Sequence, residues 1–315
     1  MRRAVTLALF ALTLLTGTAS AVETTKLVVP YAAAGTADLM ARLIAPHLQD
    51  RLGENVIVEN RGGAAGALGN EMVARAPADG KTLLVANLAS HVLGPALRPP
   101  KGYDQEKAFE PLVMIGSVPL LLAIRPEIPA TTLPELIAYG KTASKLSYGS
   151  AGSGTAMNIA GEMLNEAGGF KATHVPYRGA APVINDLLGG HLDFMIADVT
   201  ILLPQVRSGK LRAIALYANE RSPLVPDVPT AKEAGFPDLT MENWYGVFAP
   251  GNISSPDIAK LEKALLDILA LPDVKKQLDA AGMVGTRDRA DFRPILEKDF
   301  AYWGPAIKRY GITAE

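Results

Sequence analysis

Short apolar runs alternate with helical patterns along most of the chain. The runs at 27–29, 56–58 and 83–85 have the length and composition of buried strands. Between the first two, apolar side chains recur at the spacing of an amphipathic helix, and Gly53 is placed to end that helix. Pro46 lies inside this helical pattern, so we expect a kink or a break there. The alternation of strands and helices predicts an α/β protein.

The same patterns continue in the later part of the chain. An apolar run at 192–196 predicts a buried strand, with Asp198 just past its end. Asp198 would then lie outside the carboxyl end of a strand, which is where open α/β sheets bind their ligands. Further on, Ser255 is a typical N-cap and Pro256 suits the first helical position, so we expect a helix to begin there.

Two extended segments, 118–124 and 244–249, bracket the middle third of the chain. We interpret them as the crossings between a discontinuous first domain and a second domain inserted into it. The predicted first domain covers 22–121 and 246–315, and the inserted domain covers 122–245, with a ligand cleft between them. The chain has 315 residues, and the mature length expected after cleavage approaches 300, which is enough for two domains with well-buried cores.

Two segments share one plan: an apolar run, a loop of Gly, Ala, Ser and Thr, and then an amphipathic helix. The first loop lies at 30–38 and the second at 148–155. Such a start leaves backbone N–H groups without acceptors at the positive end of the helix, which favours an anion. Thr36 or Asp38 would explain the first loop as a simple helix cap, but a cap does not need the whole run of small residues before it. The pair predicts two domains that hold one acidic ligand.

The N-terminus has the composition of an export signal. Arg2 and Arg3 precede an apolar stretch at 4–15, and small residues at 19–21 form a cleavage signature. We therefore expect cleavage after Ala21 and a mature protein in the periplasm. No later run approaches the roughly 18 to 20 apolar residues that span a bilayer, so we expect no membrane span in the mature chain.

Composition narrows the chemistry further. The chain has no cysteine, which excludes disulfides, thiol catalysis and thiolate metal sites. It carries 31 basic and 32 acidic side chains, and loss of Arg2 and Arg3 with the signal peptide leaves 29 against 32, a net charge of −3. That balance argues against nucleic acid or an anionic membrane surface as the main partner.

Enzyme and cofactor motifs fail at specific positions. Ser150 lacks the Gly two residues earlier that a nucleophile elbow needs, because Tyr148 stands there. Two Gly-Lys-Thr sequences, at 80–82 and 140–142, lack the earlier Gly of a phosphate-binding loop. The four histidines lie far apart and form no pair at helical spacing. We therefore predict no cofactor and no metal.

His91 is the one histidine for which we keep a functional hypothesis. It follows the predicted strand at 83–85, in a loop with Asn87 and Ser90, at the edge of the sheet where ligands bind. It either lines a pocket there or is exposed to solvent. If the protein were an enzyme, His91 and Asp198 would be its candidate general bases.

Several short motifs stand in a characteristic order along the chain. They are 58–61 with Gly63, Ala64 and Gly66; Pro77 with Asp79, Gly80 and Thr82; 148–150 with Gly152 and Gly154; 174–179; 209–213; and 226–230 with 233–235. Each motif is weak alone, and their order and spacing together are specific. Through them nearly the whole mature chain resembles the Bug-type extracytoplasmic solute receptors, the substrate-binding components of tripartite tricarboxylate transporters.

The resemblance implies a type II periplasmic binding protein fold. In this fold two doubly wound α/β domains are joined by two crossing strands and close on a small molecule that carries a carboxylate. In the family, the loop after the first strand and the loop that opens the inserted domain's helix bind ligand through backbone amides and hydroxyls. These features fall on Tyr31 with 34–38 and on 150–155, and the family's acidic position in the second domain falls on Asp198.

Two positions depart from the family pattern. Ala34 replaces the first residue of the usual glycine pair, which still permits an N–H contact but narrows the freedom of the backbone. Asn158 stands where the family commonly has His, which alters the helix near the pocket. Ligand specificity therefore does not carry over from the family.

Our leading hypothesis is a non-enzymatic, monomeric periplasmic receptor that passes a small organic acid to the permease subunits of a tripartite tricarboxylate-type transporter. Tyr31 flanks the ligand, backbone N–H groups of both loops bind its carboxylate oxygens, and Asp198 orders water or meets a ligand donor. Arg178 either closes the cleft or forms a surface salt bridge. The predicted ligand-binding residues are Tyr31, Ala34, Gly35, Thr36, Asp38, Asn87, Ser90, Ser150, Gly152, Ser153, Gly154, Thr155, Arg178 and Asp198.

Two alternatives stay open on the sequence alone. An accessory protein that presents its ligand-bound form to a membrane sensor kinase would have the same ligand site. A secreted enzyme acting on small acids would use Asp198 or His91 as a general base, although no nucleophile and base occur together in any motif.

Overall fold

The computed structural model describes residues 23–33, 35–143, 145–177 and 179–313, so the predicted signal peptide lies outside it. Its strands are β1 (Thr24–Val29), β2 (Asn55–Asn60), β3 (Thr82–Asn87), β4 (Phe109–Ile124), β5 (Ser147–Ser150), β6 (Thr173–Pro176), β7 (Phe194–Asp198), β8 (Arg212–Tyr217) and β9 (Glu242–Pro250). Its α-helices are α1 (Thr36–Leu52), α2 (Ala67–Ala74), α3 (Gly94–Leu97), α4 (Leu133–Thr142), α5 (Ala156–Gly168), α6 (Ala180–Leu188), α7 (Val199–Arg207), α8 (Ser255–Leu269), α9 (Pro272–Ala280) and α10 (Arg289–Arg309). Across these ranges, no helix has both the length and the apolar character needed to cross a membrane.

These strands form one sheet in the order β2-β1-β3-β9-β4-β7-β5-β6, and β8 pairs with β4. The long strand β4 belongs to two groups of strands: residues 109–119 pair with β9, and residues 120–124 pair with β7 and β8. We call β1, β2, β3, β9 and the first part of β4 the first half of the sheet. The second half is β5, β6, β7, β8 and the last part of β4. The predicted domain boundaries stay predictions.

Within each half, neighbouring strands that are joined through helices run parallel. In the first half β1 is parallel to β2 and β3, and in the second half β5 is parallel to β6 and β7. The strand β9 is antiparallel to both β3 and β4. Because the carboxyl ends of parallel strands lie at one edge of the sheet, each half presents its strand-to-helix loops at that edge.

Strand side chains alternate between two buried clusters, one on each face of the sheet. Leu27 and Val29 belong to one cluster, and Val28 between them belongs to the other. The first cluster is completed mainly by α1, α6, α7, α8 and α9, and the second by α2, α4, α5 and α10. Helices on both faces of a mixed sheet, in which strands and helices alternate along the chain, confirm the predicted α/β class.

Several predicted elements occur with ends that differ from the prediction. Helix α1 continues through Pro46, so the break that we expected there does not occur, and Gly53 ends the helix in a left-handed conformation (φ 69°). The buried face of α1 packs into the core on both sides of Pro46, which offsets the one missing backbone hydrogen bond. Helix α8 is capped by Ser254, whose hydroxyl accepts from the N–H of Asp257, and not by Ser255.

Helix α10 is tied to the sheet by a partly buried carboxyl. The indole Nε1 of Trp244, a fully buried residue of β9, donates to Oδ2 of Asp299 at 2.7 Å. The indole of Trp303 donates to the other oxygen at 3.3 Å. Burial raises the pKa of Asp299 to about 6 despite these two hydrogen bonds. The folded protein therefore binds a proton at Asp299 more readily than the unfolded chain does.

We expect Asp299→Asn to remove a pH dependence of stability. Between about pH 4 and pH 6 the folded state holds a proton that the unfolded state has lost, so stability falls as the pH rises through this window. The wild type should lose up to about 3 kcal/mol relative to Asp299→Asn between pH 4 and pH 7. Urea unfolding at both pH values measures the difference.

The control for this measurement is Glu297→Gln, which changes an exposed acid of the same helix. This variant should follow the pH profile of the wild type. Equal pH slopes in the wild type and in Asp299→Asn would contradict the assignment of the pH dependence to Asp299.

Candidate functional site

The register of β4 gathers polar side chains from both halves of the sheet. A residue in the middle of β4 lies opposite Asp198, the last residue of β7. The β4 residue two positions earlier lies opposite Asn243 of β9. Strand β9 in turn places Tyr245 opposite Asn87, the last residue of β3. We call the side chains that meet here the polar cluster, which consists of Tyr31, Thr36, Asn87, Ser90, Asp198, Asn243 and Tyr245.

Asn87 organises the part of the polar cluster that belongs to the first half. Its Oδ1 accepts from the Tyr31 hydroxyl at 2.6 Å and from the N–H of Ser90 at 3.1 Å. Two further hydrogen bonds hold Ser90 and Tyr31 in place. Asn70 donates to the Ser90 carbonyl at 2.7 Å, and Asn60 donates to the Tyr31 carbonyl at 3.2 Å. Burial raises the pKa of Tyr31 to about 12, so its phenol stays neutral and donates.

Asp198 connects the two halves. Its Oδ1 accepts from Asn243 Nδ2 at 2.7 Å, and its Oδ2 accepts from the Tyr245 hydroxyl at 2.9 Å and from the Thr36 hydroxyl at 3.4 Å. Asp198 lies in the second half, whereas its three partners lie in the first half or on its helix α1. Burial raises the pKa of the Asp198 carboxyl, and the three hydrogen bonds oppose that shift.

The first glycine-rich loop places a glycine at the N-cap of α1. Gly35 has an extended conformation (φ −85°, ψ 170°) and no side chain that could accept from the first-turn N–H groups. The expectation of Thr36 or Asp38 as the N-cap residue is therefore wrong, since both lie within the first turn of the helix. Thr36 donates to the polar cluster, and the Asp38 carboxylate accepts from Arg42 and Asn60, each at 2.9 Å. The N–H groups at the positive end of α1 suit an anion.

The second glycine-rich loop is held by its own hydroxyls. The Ser150 hydroxyl donates to the Gly152 carbonyl at 2.9 Å and accepts from the Gly152 N–H at 3.1 Å. Thr155 is the N-cap of α5: its hydroxyl accepts from the Asn158 N–H at 3.4 Å and also donates to the Gly152 carbonyl at 2.8 Å. These contacts fix the loop in front of α5 in one shape.

Ser150 and His174 form a pair that resembles a nucleophile and its base. The Ser150 hydroxyl lies 2.6 Å from Nε2 of His174, whose ring stacks on Tyr148 with centroids 5.0 Å apart. Ser150 is fully buried, and its hydroxyl proton is donated to the Gly152 carbonyl and not to His174. We interpret the pair as a support for the glycine-rich loop.

The structure brings some of the predicted site residues together and separates others. Tyr31, Thr36, Asn87, Ser90 and Asp198 share the polar cluster, with Gly35 and the N–H of Asp38 beside them at the start of α1. Ser150, Gly152, Ser153, Gly154 and Thr155 form the second loop. Ala34 and Arg178 lie outside the described residues. As ligand contacts, all of these residues stay predictions.

Sequence reasoning missed Asn243 and Tyr245 of β9. Both face the polar cluster, and both donate to Asp198. A signal was present, because the two polar residues alternate with apolar ones in a strand that is otherwise buried, and alternate residues of a strand share one face. Their partner in the second half becomes visible only from the pairing of β4.

His91 belongs to a different part of the molecule. It is buried, its ring stacks on Phe248 with centroids 4.1 Å apart, and Gln105 donates to its carbonyl at 3.0 Å. Burial lowers the pKa of His91 to about 3. The alternative of solvent exposure is therefore wrong. His91 lines a cavity of about 460 Å³ between β4, β9 and α10 that contains no residue of the polar cluster. Across the described ranges, no three acidic or histidine side chains gather as a metal ion requires.

We expect Tyr245→Phe to destabilise the protein by about 1–3 kcal/mol at pH 7, because it removes a hydrogen bond from a buried carboxylate. Tyr217→Phe is the matched control, since the Tyr217 hydroxyl is buried without a hydrogen-bond partner in the described part of the chain. That substitution should change stability by less than about 0.5 kcal/mol. Urea unfolding compares the two variants, and equal losses would argue against a specific role for the Tyr245 hydroxyl.

Comparison with known proteins relates this geometry to a family. The family model described as "Tripartite tricarboxylate transporter family receptor" matches residues 40–312. The structure of the periplasmic binding protein BugD is 33% identical, with a TM-score of 0.80 over 93% of this chain and 99% of BugD. MatC (Rpa3494) from Rhodopseudomonas palustris, solved with bound malate, is 33% identical, with a TM-score of 0.79 over 90% of this chain and 98% of MatC.

A further structural neighbour extends the likeness. The R. palustris protein Rpa4515, solved with adipate, is 29% identical, with a TM-score of 0.83 over 92% of this chain and 98% of that protein. The match covers almost the whole of each chain. It confirms the predicted fold class, that of a periplasmic binding protein.

Proposed function

Because the chain belongs to the tripartite tricarboxylate transporter receptor family, we propose that it is a periplasmic receptor that delivers a small organic acid to the membrane subunits of a tripartite tricarboxylate-type transporter. Cleavage of the signal peptide after Ala21 and a monomeric state are part of the proposal. Two structural neighbours were solved with malate and with adipate, and both ligands are dicarboxylates. We infer a carboxylate ligand for this chain as well.

The observation that carries the proposal is the glycine at the N-cap of α1, Gly35. This glycine has a negative φ, and the protein atom nearest to a Cβ built on it is the Ala32 carbonyl oxygen, 3.9 Å away. Neither backbone strain nor crowding inside the protein requires a glycine there. Close approach of a ligand to the first-turn N–H groups of α1 would require one.

The polar cluster suits an anion that is held by neutral donors. It contains hydroxyls and amides, one carboxyl at Asp198, and no Lys or Arg. One helix end contributes about 0.3 to 1 kcal/mol to anion binding when exposed and up to about 2 kcal/mol when partly buried. Micromolar affinity needs roughly 8 kcal/mol, so contacts from both halves have to act together on one ligand.

Asp198 limits where the ligand carboxylates lie. A ligand carboxylate next to the Asp198 carboxyl would be repelled whenever both carry their charge. We therefore place the ligand carboxylates at the start of α1 and at the second loop, and a neutral or hydrogen-donating part of the ligand nearer to Asp198. The raised pKa of Asp198 reduces the repulsion at mildly acidic pH, because the carboxyl then takes up a proton more readily.

We expect dicarboxylates to stabilise the protein against heat. Malate, succinate, adipate and citrate are tested by thermal shift, and the neutral diamide of adipate is the matched control. An acid present at about a hundred times its dissociation constant should add about 2.7 kcal/mol, whereas the diamide should add nothing. Mass spectrometry of ligand released from the purified protein identifies the natural acid. If no acid stabilises the protein and none is released from it, the receptor proposal fails.

We expect Asp198→Asn to bind succinate or adipate about fivefold more tightly than the wild type at pH 7. Removing the charge from the cluster abolishes a repulsion of roughly 1 kcal/mol while keeping the size of the side chain. Isothermal titration calorimetry measures the affinities, and circular dichroism checks the fold. A well-folded variant that binds these acids tenfold more weakly would show that Asp198 attracts the ligand.

The same variant tests the enzyme alternative. An enzyme that used Asp198 as its general base would convert the bound acid, and Asp198→Asn would bind the acid without converting it. Incubating the wild type with each acid and following the products by mass spectrometry looks for that conversion. Membrane crosslinking with and without the acid then separates a permease partner from a sensor kinase.

A further inference from the structure

The two halves of the sheet touch where the second glycine-rich loop meets α3. A Cβ atom placed on Gly154 would lie 2.2 Å from Cδ1 of Leu97 and 3.6 Å from its Cγ. Gly154 belongs to the loop between β5 and α5 in the second half. Leu97 ends α3, in the connection from β3 to β4. The missing side chain of Gly154 is therefore what allows Leu97 to pack on the backbone of the loop.

A buried hydrogen-bonded chain holds Gly154 in place from its own half. The N–H of Gly154 donates to Oδ1 of Asn158 at 2.9 Å, and Nδ2 of Asn158 donates to the Tyr148 hydroxyl at 2.9 Å. The Tyr148 hydroxyl donates to Oε1 of Glu162 at 2.6 Å. Asn158 and Tyr148 are both buried. Because every link is paired, the chain gives Leu97 a fixed surface.

Leu97 is held equally well from the first half. It lies in the same connection as Asn87 and Ser90, ten and seven residues after them in the chain. The N–H of Arg98 donates to the Gly94 carbonyl at 2.8 Å and closes α3. Leu97 is partly buried and packs against the buried cluster on one face of the sheet. Its position is therefore coupled through the backbone to the polar cluster.

The contact differs in kind from the three hydrogen bonds that link the halves at Asp198. Those donated by Asn243 and Tyr245 are 2.7 and 2.9 Å long. The Thr36 hydroxyl reaches Asp198 at 3.4 Å, which is long for a hydrogen bond between oxygens. Leu97, in contrast, is in close apolar contact with the loop, and such a contact is lost at once when the two surfaces separate. Opening of the halves would therefore break the Leu97 contact at an early stage.

We propose that Leu97 is a positioning residue of the ligand site, which packs on Gly154 and holds the two halves together over the bound acid. The role of the acid in this inference rests on the proposed function. The contact adds stability only to the closed arrangement, so it raises affinity by favouring that arrangement and slows release. It also requires a glycine at position 154.

The test is a double-mutant cycle of the wild type, Leu97→Ala, Gly154→Ala and the variant with both changes. Isothermal titration calorimetry gives the dissociation constants for malate and adipate, and urea unfolding gives the midpoints of the four proteins. Leu97→Ala should weaken binding about fivefold, because a partly buried leucine loses part of its apolar contact. Gly154→Ala should weaken binding more, since its Cβ collides with Leu97.

The result that identifies the contact is the behaviour of the double variant. Removing the Leu97 methyl groups makes room for the new Cβ at position 154, so the double variant should bind more tightly than Gly154→Ala alone. If Leu97→Ala instead weakens the Gly154→Ala protein as much as it weakens the wild type, the proposal is overturned.

Two further controls separate the contact from local effects. Gly190→Ala places an alanine at φ 76°, close to the φ of 81° at Gly154. No atom lies within 4 Å of the new Cβ, so this variant measures the effect of backbone strain alone. Leu188→Ala removes a leucine that is 39% exposed at the end of α6 in the second half, and binding should not change.

Failure of the proposed function can be told apart from failure of this inference. If the wild type binds neither malate nor adipate nor any other acid of the panel, the receptor proposal fails. The Leu97 contact is then decided by the urea midpoints of the same four proteins. A double variant that is more stable than Gly154→Ala supports the contact, and additive losses of stability overturn it.

Discussion

The structure depends on one strand that is shared by two groups of strands. Residues 109–119 of β4 pair with β9, and residues 120–124 pair with β7 and β8. Because both neighbours are antiparallel to β4, β7 ends and β9 begins near the same point of that strand. This register brings Asp198 and Asn243 within a hydrogen bond of each other, although 45 residues separate them in the chain. A slip of one residue in β4 would turn its partners to the opposite face and separate this pair.

A buried carboxyl at this junction constrains the chemistry of the site. Asp198 is paired with hydroxyl and amide donors and not with a cation, so its charge is only partly compensated. Burial therefore raises its pKa. In the same cluster burial keeps the phenols of Tyr31 and Tyr245 neutral, as their raised pKa values indicate. An acid that binds beside these groups meets neutral donors and the N–H groups of a helix, which select for hydrogen-bond geometry more than for net charge.

Much of the fold followed from local sequence patterns. The strands at 27–29, 56–58 and 83–85 and the end of α1 at Gly53 were predicted correctly, because hydrophobic periodicity and a left-handed glycine are local signals. The contact between Asp38 and β2 and the surroundings of His91 were not, because each depends on distant partners. Asn60, which donates to Asp38, lies 22 residues away in the chain, and His91 is enclosed by side chains of β9 and α10. Local propensity contains no information about such contacts.

The two glycine-rich loops resemble each other in sequence and differ in what their glycines do. At Gly35 the φ is negative and the nearest protein atom leaves room for a side chain, so the reason for a glycine lies outside the protein, in the ligand that we propose. At Gly154 the φ is positive and Leu97 fills the space of a Cβ, so the reason for a glycine lies within the protein. The first loop places a glycine without a side chain at the start of a helix, whereas hydroxyls and Asn158 already bind much of the second loop. We therefore assign anion binding mainly to the first loop and closure of the two halves mainly to the second. The shared sequence plan of the loops suggested the same role, anion binding, for both.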